Sequence, residues 1–426
     1  MTAPIAERFS EIRRAFHRCP EPAWREFRTT GLLVEEIRSI GVDELAVGAE
    51  AYDPDDRMAV PDDDELDRWL DWARADGVDG ELLDAMAGGT TGAVAVIERG
   101  DGPSVGLRVD IDGLFVEEST ADDHAPAAEG FRSEHDGTMH ACGHDAHMTV
   151  GLGVLEAIEK SDFPGTFTAF FQPAEEESGG GKPMAESRFA ADLDYLLAVH
   201  VGLDHPTGEV VAGIRKPLAM SHLTVEFTGT SAHAGKEPNA GDNAVQALAA
   251  AIQNAYAVPR HEAGMTRVNV GRVEAGAASN VIAERAALAG EVRGETTALR
   301  EYAKAELERT VRAAAEMHGC DADFRIVSES PRADSDEALV ALVSDVAAGV
   351  DGVDSVVPWA DFGASEDATF LMRRVQENGG EAAYLVVGTD HPGSHHTPRF
   401  DVDERSIPVG VDVLTETVLR IADERP

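Results

Sequence analysis

Four short apolar runs in this chain each lead into a cluster of side chains that bind metals or protons. Residues 104–109 run into Asp110-Ile-Asp112-Gly, and residues 167–171 into Gln172-Pro-Ala-Glu-Glu-Glu177, with Ser178 and three glycines behind. Residues 195–199 end at His200, and residues 383–387 lead through Gly388 to His391-Pro-Gly-Ser-His-His396. Runs of this length, alternating with helix-length segments, predict an α/β sheet with parallel strands. Ligands of such sheets bind beyond the carboxyl ends of the strands, which is where all four clusters fall.

A fifth stretch, His140-Ala-Cys-Gly-His-Asp-Ala-His147, crowds three histidines, a cysteine and an aspartate around one glycine, just before a predicted helix at 148–160. Imidazole, thiolate and carboxylate are ligands of borderline-soft divalent metals such as zinc. The following helix would aim its free N–H groups at any anion held there. Cys142 could instead be a nucleophile with His144 or His140 as its base, although so many neighbouring ligands favour coordination. Glu175 and Glu176 are read as adjacent residues of an extended segment, pointing to opposite sides. One carboxylate would then bind metal while the other takes the proton of a water whose pKa the metal lowers towards about 7. The plainer reading is a solvated acidic loop. His200 alone reads as a core histidine, whereas His395 and His396 sit in a Gly/Pro-rich loop where a buried structural role is less natural. Gly179-Gly-Gly-Lys182 lacks phosphate-loop spacing, Asp361-Phe-Gly363 lacks every other kinase element, and no Gly-x-Ser-x-Gly elbow occurs.

Residues 5–41 predict two helices around a turn at 19–22. Residues 51–64 predict an acidic loop, and residues 66–86 a helical segment whose role is packing. Between 222 and 328 the order changes to β-α-β-β-α-β, the split motif of a small sandwich. The expected domains are therefore a catalytic domain in two parts, 1–221 and 331–426, around an inserted domain at 222–330.

The chain carries 79 acidic against 36 basic residues, a formal net charge of −43, and only five of the basic residues are lysines. Phosphate binding needs a basic face, so nucleic acid is not an expected partner. At molar salt the Debye length falls to about 3 Å, and a salt-rich cytoplasm suits so much like charge. Three widely spaced cysteines do not form a disulfide framework, no apolar run is long enough for a membrane helix, and residues 1–11 show no secretory signal.

Together these motifs resemble the dinuclear metallo-amidohydrolases that include bacterial aminoacylases, hippurate hydrolases and plant auxin-conjugate hydrolases. The matching segments are Arg108-Val-Asp-Ile-Asp112, Met139-His-Ala-Cys-Gly-His-Asp145, Phe171-Gln-Pro-Ala-Glu-Glu176, Ala198-Val-His-Val-Gly202, Ser231-Ala-His-Ala-Gly235 and His396-Thr-Pro-Arg-Phe400. Trp24-Arg-Glu-Phe-Arg-Thr29, the helical insert, Arg267-Val-Asn-Val-Gly271 and Ser365-Glu-Asp-Ala-Thr369 resemble the branch acting on aminobenzoyl-glutamate. The resemblance implies an α/β catalytic domain with an inserted ferredoxin-like dimerisation domain. It implies two divalent ions (zinc, manganese or cobalt) on Cys142, His144, Glu176, His200 and His396, with Glu175 as general base. His233 and Asn280 would hold the substrate and its oxyanion, and Asp112 would orient the metal ligands from behind. In the family this histidine reaches into the site of the partner protomer. Phe115 stands where the family commonly has proline. The implied reaction is hydrolysis of an N-acyl or N-aroyl amino acid, aminobenzoyl-glutamate among them, by a homodimer or by a heteromer with a homologous chain. The alternatives are a dipeptidase on the same scaffold and a non-catalytic binding component of a hetero-oligomeric hydrolase. Arg272, Arg285, Arg293 and Lys236 are unranked candidates for the substrate carboxylate.

Overall fold

The computed structural model describes residues 3–426; Met1 and Thr2, the start of the stretch read as lacking a secretory signal, lie outside it. The chain divides into two compact units. Of the described residues, one comprises 3–215, 333–362 and 367–426, and the other 216–332 and 363–366.

The larger unit is built on an eight-stranded sheet in the order Glu44–Val47, Ala93–Glu98, Thr166–Gln172, Ser104–Asp110, Tyr195–Val201, Glu381–Val387, Glu209–Val211, Ser355–Val357. Its middle four strands are mutually parallel, and the pairings flanking them are antiparallel. Both faces are covered, which is why these strands read as continuous apolar runs rather than alternating ones. Val105, Leu107, Val109, Leu197 and Val199 turn to one core, with the helices His144–Glu159, Glu337–Ala347 and Ser406–Glu424. Phe170, Leu196, Ala198 and Tyr384 turn to the other, with Gly181–Glu186 and Ala368–Glu377.

The helix His144–Glu159 is buried along almost its whole length. Gly151 lets it lie on the sheet, since a Cβ there would stand 3.0 Å from Val109 and 3.1 Å from Phe171. That close seating fixes where the helix begins, and so where His144 stands. The insert forms the helices Asp63–Ala75 and Gly80–Ala85, which bury Trp69, Leu70, Ala73, Leu83 and Met86 around Phe27. Packing is thus its visible work.

The smaller unit has a four-stranded antiparallel sheet in the order Thr266–Ala275, Arg285–Gly294, Ala219–Thr228, Asp321–Ser330. The helices Ala244–Ala255 and Thr297–Met317 cover one face through Leu248, Ala251, Leu307 and Val311. The connectivity is the expected ferredoxin-like one. A small antiparallel pair of strands distant in sequence, Ala232–His233 against Val281–Ile282, was not predicted. Two-residue strands carry too little periodicity to be seen in sequence. Among the described residues, no helix is long and apolar enough to cross a membrane.

Candidate active site

Six of the residues singled out in the sequence converge at the carboxyl ends of the central strands. Cys142 Sγ lies 3.5 Å from His200 Nε2, and with His144 they form a buried trio of donors. Cys142, Glu176 and His396 form a second group, and His144, Glu175 and Glu176 a third, each with its donor atoms within 4.8 Å of one another. Glu176 Oε2 is 3.3 Å from His396 Nε2.

Local backbone sets this geometry. Gly143 precedes the buried helix at φ +89, and a Cβ there would stand 2.5 Å from Val201, so Cys142 and His144 can be brought against the sheet only across a glycine. His396 also has a left-handed backbone, φ +61, and its N–H donates to Ala141 O at 2.8 Å, tying its loop to the cysteine stretch. Strained conformations of this kind persist where the surroundings over-determine them, and they cluster at functional sites. The expectation for Glu175 and Glu176 needs correcting. They lie in a turn, not an extended segment, and both carboxylates come within reach of His144.

The two buried imidazoles are oriented from behind. His144 Nδ1 donates to Asp112 O at 2.8 Å, and His200 Nδ1 to Val201 O at 2.7 Å. Each ring therefore turns Nε2 into the cluster, the arrangement in which outer hydrogen bonds fix a ligating histidine. Buried His144 Nε2 and Glu176 Oε1 have no hydrogen-bond partner. Asp110 Oδ1 stands 3.6 Å and Glu176 Oε1 3.7 Å from that nitrogen, spacings suited to an ion between them rather than to direct bonds. Burial opposes charge on His144, but Asp110, Asp112 and Glu176 push it up to about 10, so the cluster draws positive charge to this point. Burial holds His200 well below the usual histidine range, which keeps its Nε2 lone pair available. Soft and hard donors, bare buried atoms and a demand for a cation together fit a divalent-metal site.

Behind the donors lies a buried scaffold only partly visible in sequence. Arg108 bonds Asp110 at 2.8 Å, Gln172 at 2.9 Å and Asp367 at 3.0 Å, and Asp110 in turn holds His147 Nδ1. His147 Nε2 accepts from Val201 N at 2.8 Å, so both its nitrogens are used within the scaffold. Burial would raise Asp110, yet His144, His147 and Arg108 outweigh it and keep the carboxylate ionised. A cation inside an apolar strand was the available signal for Arg108. Asp145, next to His144, is held by Arg13 at 2.7 Å and His17 at 2.8 Å, which anchor the metal-side helix to the first helix and to Asp401. The sequence reading missed Arg13 and His17, which lie 132 and 128 residues from Asp145. Asp112 Oδ2 accepts from Glu176 N at 3.1 Å.

In the smaller unit, His233 and Asn280 come together at this short strand pair, where Ala234 N donates to Asn280 O at 3.0 Å. His233 is exposed, and its Nδ1 accepts from Gly235 N at 3.1 Å and Lys236 N at 3.2 Å, which places the ring proton on Nε2. Of the four carboxylate candidates, Arg293 is bound to Glu291 at 2.9 and 3.0 Å, and Arg272 lies 3.5 Å from Glu274. Arg285 pairs in register with Thr228, and Lys236 sits beside His233.

The sequence pattern of peptidase family M20/M25/M40 matches residues 106–420. The chain is 37% identical to one of the chains of p-aminobenzoyl-glutamate hydrolase from Escherichia coli (strain K12), over 97% of this chain and 96% of that one. It is 37% identical to an indole-3-acetyl-aspartic acid hydrolase of Enterobacter agglomerans, over 98% and 96%. The crystal structure of an aminobenzoyl-glutamate utilization protein from Klebsiella pneumoniae superposes with a TM-score of 0.85 at 32% identity, covering 99% of this chain and 98% of that one.

Proposed function

The chain belongs to peptidase family M20/M25/M40 and is a metal-dependent amidohydrolase, and on that premise we propose that it cleaves N-acyl or N-aroyl amino acids. The observation that carries this reading is the convergence of Cys142, His144, Glu176, His200 and His396 beside Glu175, with His144 Nε2 and Glu176 Oε1 lacking partners. The names of the two relatives each describe an aromatic acyl group joined to an acidic amino acid. That class, aminobenzoyl-glutamate included, is the substrate proposed here.

The five donors would hold two divalent ions, zinc, manganese or cobalt. Bound there, the metals would lower the pKa of water and polarise the substrate carbonyl. Glu175 takes the proton of the attacking water and passes it to the leaving nitrogen. Asp112 keeps His144 and the Glu176 peptide in place through the contacts described above. His233, with its proton on Nε2, and Asn280 hold the substrate and stabilise the oxyanion. Lys236, whose backbone N–H donates to His233, is the one of the four proposed here to meet a substrate carboxylate.

Elemental analysis together with a hydrolysis panel tests the reading. Purified protein is expected to contain divalent metal, to lose it in acid as thiolate and imidazole take up protons, and to regain activity when metal is restored. N-aroyl glutamate and aspartate are expected to be cleaved faster than dipeptides. Protein with no bound metal and no gain on metal addition would defeat the proposal, and preference for dipeptides would favour the dipeptidase.

Two relatives, from Escherichia coli and Haemophilus influenzae, carry names that make each of them one component of a hydrolase. Those names support a second assembly, in which this chain joins a homologous partner. A homodimer is the simpler assembly and is the one tested below. The acid excess supports a protein adapted to high salt. With a net charge of −43, its melting temperature is expected to rise from low ionic strength to about 1 M potassium chloride, where the Debye length is about 3 Å. Equal melting temperatures in the two conditions would refute the salt adaptation and leave the chemistry untouched.

A further inference from the structure

The turn that carries Glu175 is held in an uncommon backbone conformation. Ala174 at φ +56 and Ser178 at φ +51 both lie in the left-handed region, although neither is glycine. Such residues stay there only when their surroundings leave no alternative. Ser178 N donates to Glu175 O at 2.7 Å and Gly179 N to Ala174 O at 2.8 Å, which closes the turn.

Two carboxylates fix it from outside. Glu26 Oε1 accepts from Ala174 N at 2.8 Å, and Asp112 Oδ2 accepts from Glu176 N at 3.1 Å. The peptide N–H groups just before and just after Glu175 are thus both held by acids. Asp112 is already part of the site, through His144. Glu26 has no such role: among the described residues it joins none of the donor clusters. It is fully buried, and its second oxygen accepts from Thr91 Oγ1 at 2.6 Å. A nearby contact from Gly92 N to Thr30 Oγ1, 2.9 Å, ties the segment carrying Thr91 to the helix that Glu26 precedes. A buried carboxylate is a costly way to hold a peptide unless its placement matters.

We propose that Glu26 is the positioning residue of the general base: by holding the Ala174 peptide it sets where the Glu175 carboxylate stands, without touching metal or substrate. The inference rests on Glu175 being the base. A base must come within about 2.6–3.2 Å of the proton it removes. A displacement of about 1 Å costs about 10²-fold in rate. Released from Glu26, Ala174 would relax towards right-handed conformations and carry Glu175 away. The Glu176 peptide would remain on Asp112.

The test is a double-mutant comparison in the full-length, metal-loaded protein. Glu26→Ala is expected to lower kcat by about 10–100-fold while KM changes by less than about twofold and metal content is unchanged. Added to Glu175→Gln, it is expected to cause no further loss, since a residue acting only through Glu175 has nothing left to position. Glu26→Gln, whose amide oxygen still accepts from Ala174 N, is expected to stay within about threefold of wild type. If Glu26→Ala does not fold, Glu26→Asp carries the same comparison, because the shorter side chain cannot reach both Ala174 N and Thr91 Oγ1. An undiminished further loss in the Glu175→Gln background, or loss of metal, would overturn the inference and leave the base assignment standing. Near-wild-type turnover by Glu175→Gln alone would overturn both.

Discussion

Glu175→Gln is expected to lower kcat by about 10²–10⁴-fold with metal content unchanged, whereas Glu176→Ala is expected to lose metal. The carboxamide keeps the shape and volume of the side chain but cannot take up the proton of water. Both acids bring an oxygen into one group with His144, but only Glu176 also joins Cys142 and His396. Their surroundings differ. Glu176 faces His396 at 3.3 Å and His144 at 3.7 Å, and His396, His144 and Cys142 together outweigh burial to hold it below the usual carboxylate range. An acid kept ionised among imidazoles and a thiol is placed to be a ligand. Its removal would leave the two histidines facing the ions without their acidic partner. Steady-state kinetics and elemental analysis on both variants decide the matter. Full turnover by Glu175→Gln, or full metal retention by Glu176→Ala, would mean that the roles are exchanged.

The parts of this site legible in the sequence are those with a local signature. A strand of buried apolar residues announces itself, and its end marks where a side chain emerges, so His200 and the two glutamates could be placed before their contacts were known. The strands Glu44–Val47, Glu209–Val211 and Ser355–Val357 went unseen, because three or four residues give no period and these strands exist only by pairing with longer neighbours. The supporting residues were hidden for a different reason. Arg13, His17 and Glu26 precede the first strand, and each acts on a residue more than 100 positions away. Glu26 lies in the segment 24–29 that carried part of the resemblance, but nothing local gave it a role; only its burial against Ala174 N does. The turn at Ala174 was misread as extended because the residues around it suit either conformation. Gly180 was the available clue, since a Cβ there would stand 1.8 Å from Pro173 O and the chain must fold back on itself.

His233→Ala is expected to lower kcat by about 10²–10³-fold, the usual worth of an oxyanion donor, without loss of metal. The proposal is that this donor serves the partner's site in a dimer. His233 lies in the smaller unit, on a pair of two-residue strands, exposed and not packed into that unit's core. Gly235 N and Lys236 N donate to its Nδ1, so Nε2 carries a ring proton and is left to donate. Removal of a plain turn histidine would leave kcat near wild type. The decisive experiment mixes two inactive proteins. A His233→Ala protomer keeps Glu175, and a Glu175→Gln protomer keeps His233. Random exchange makes half of the dimers mixed, each with one intact site of two, so activity should recover to about a quarter of wild type. Metal content and protomer exchange are checked on the same mixture. Confirmed exchange without recovery would show that His233 serves its own protomer or none, and would leave the roles of Glu175 and the metal ligands as they stand.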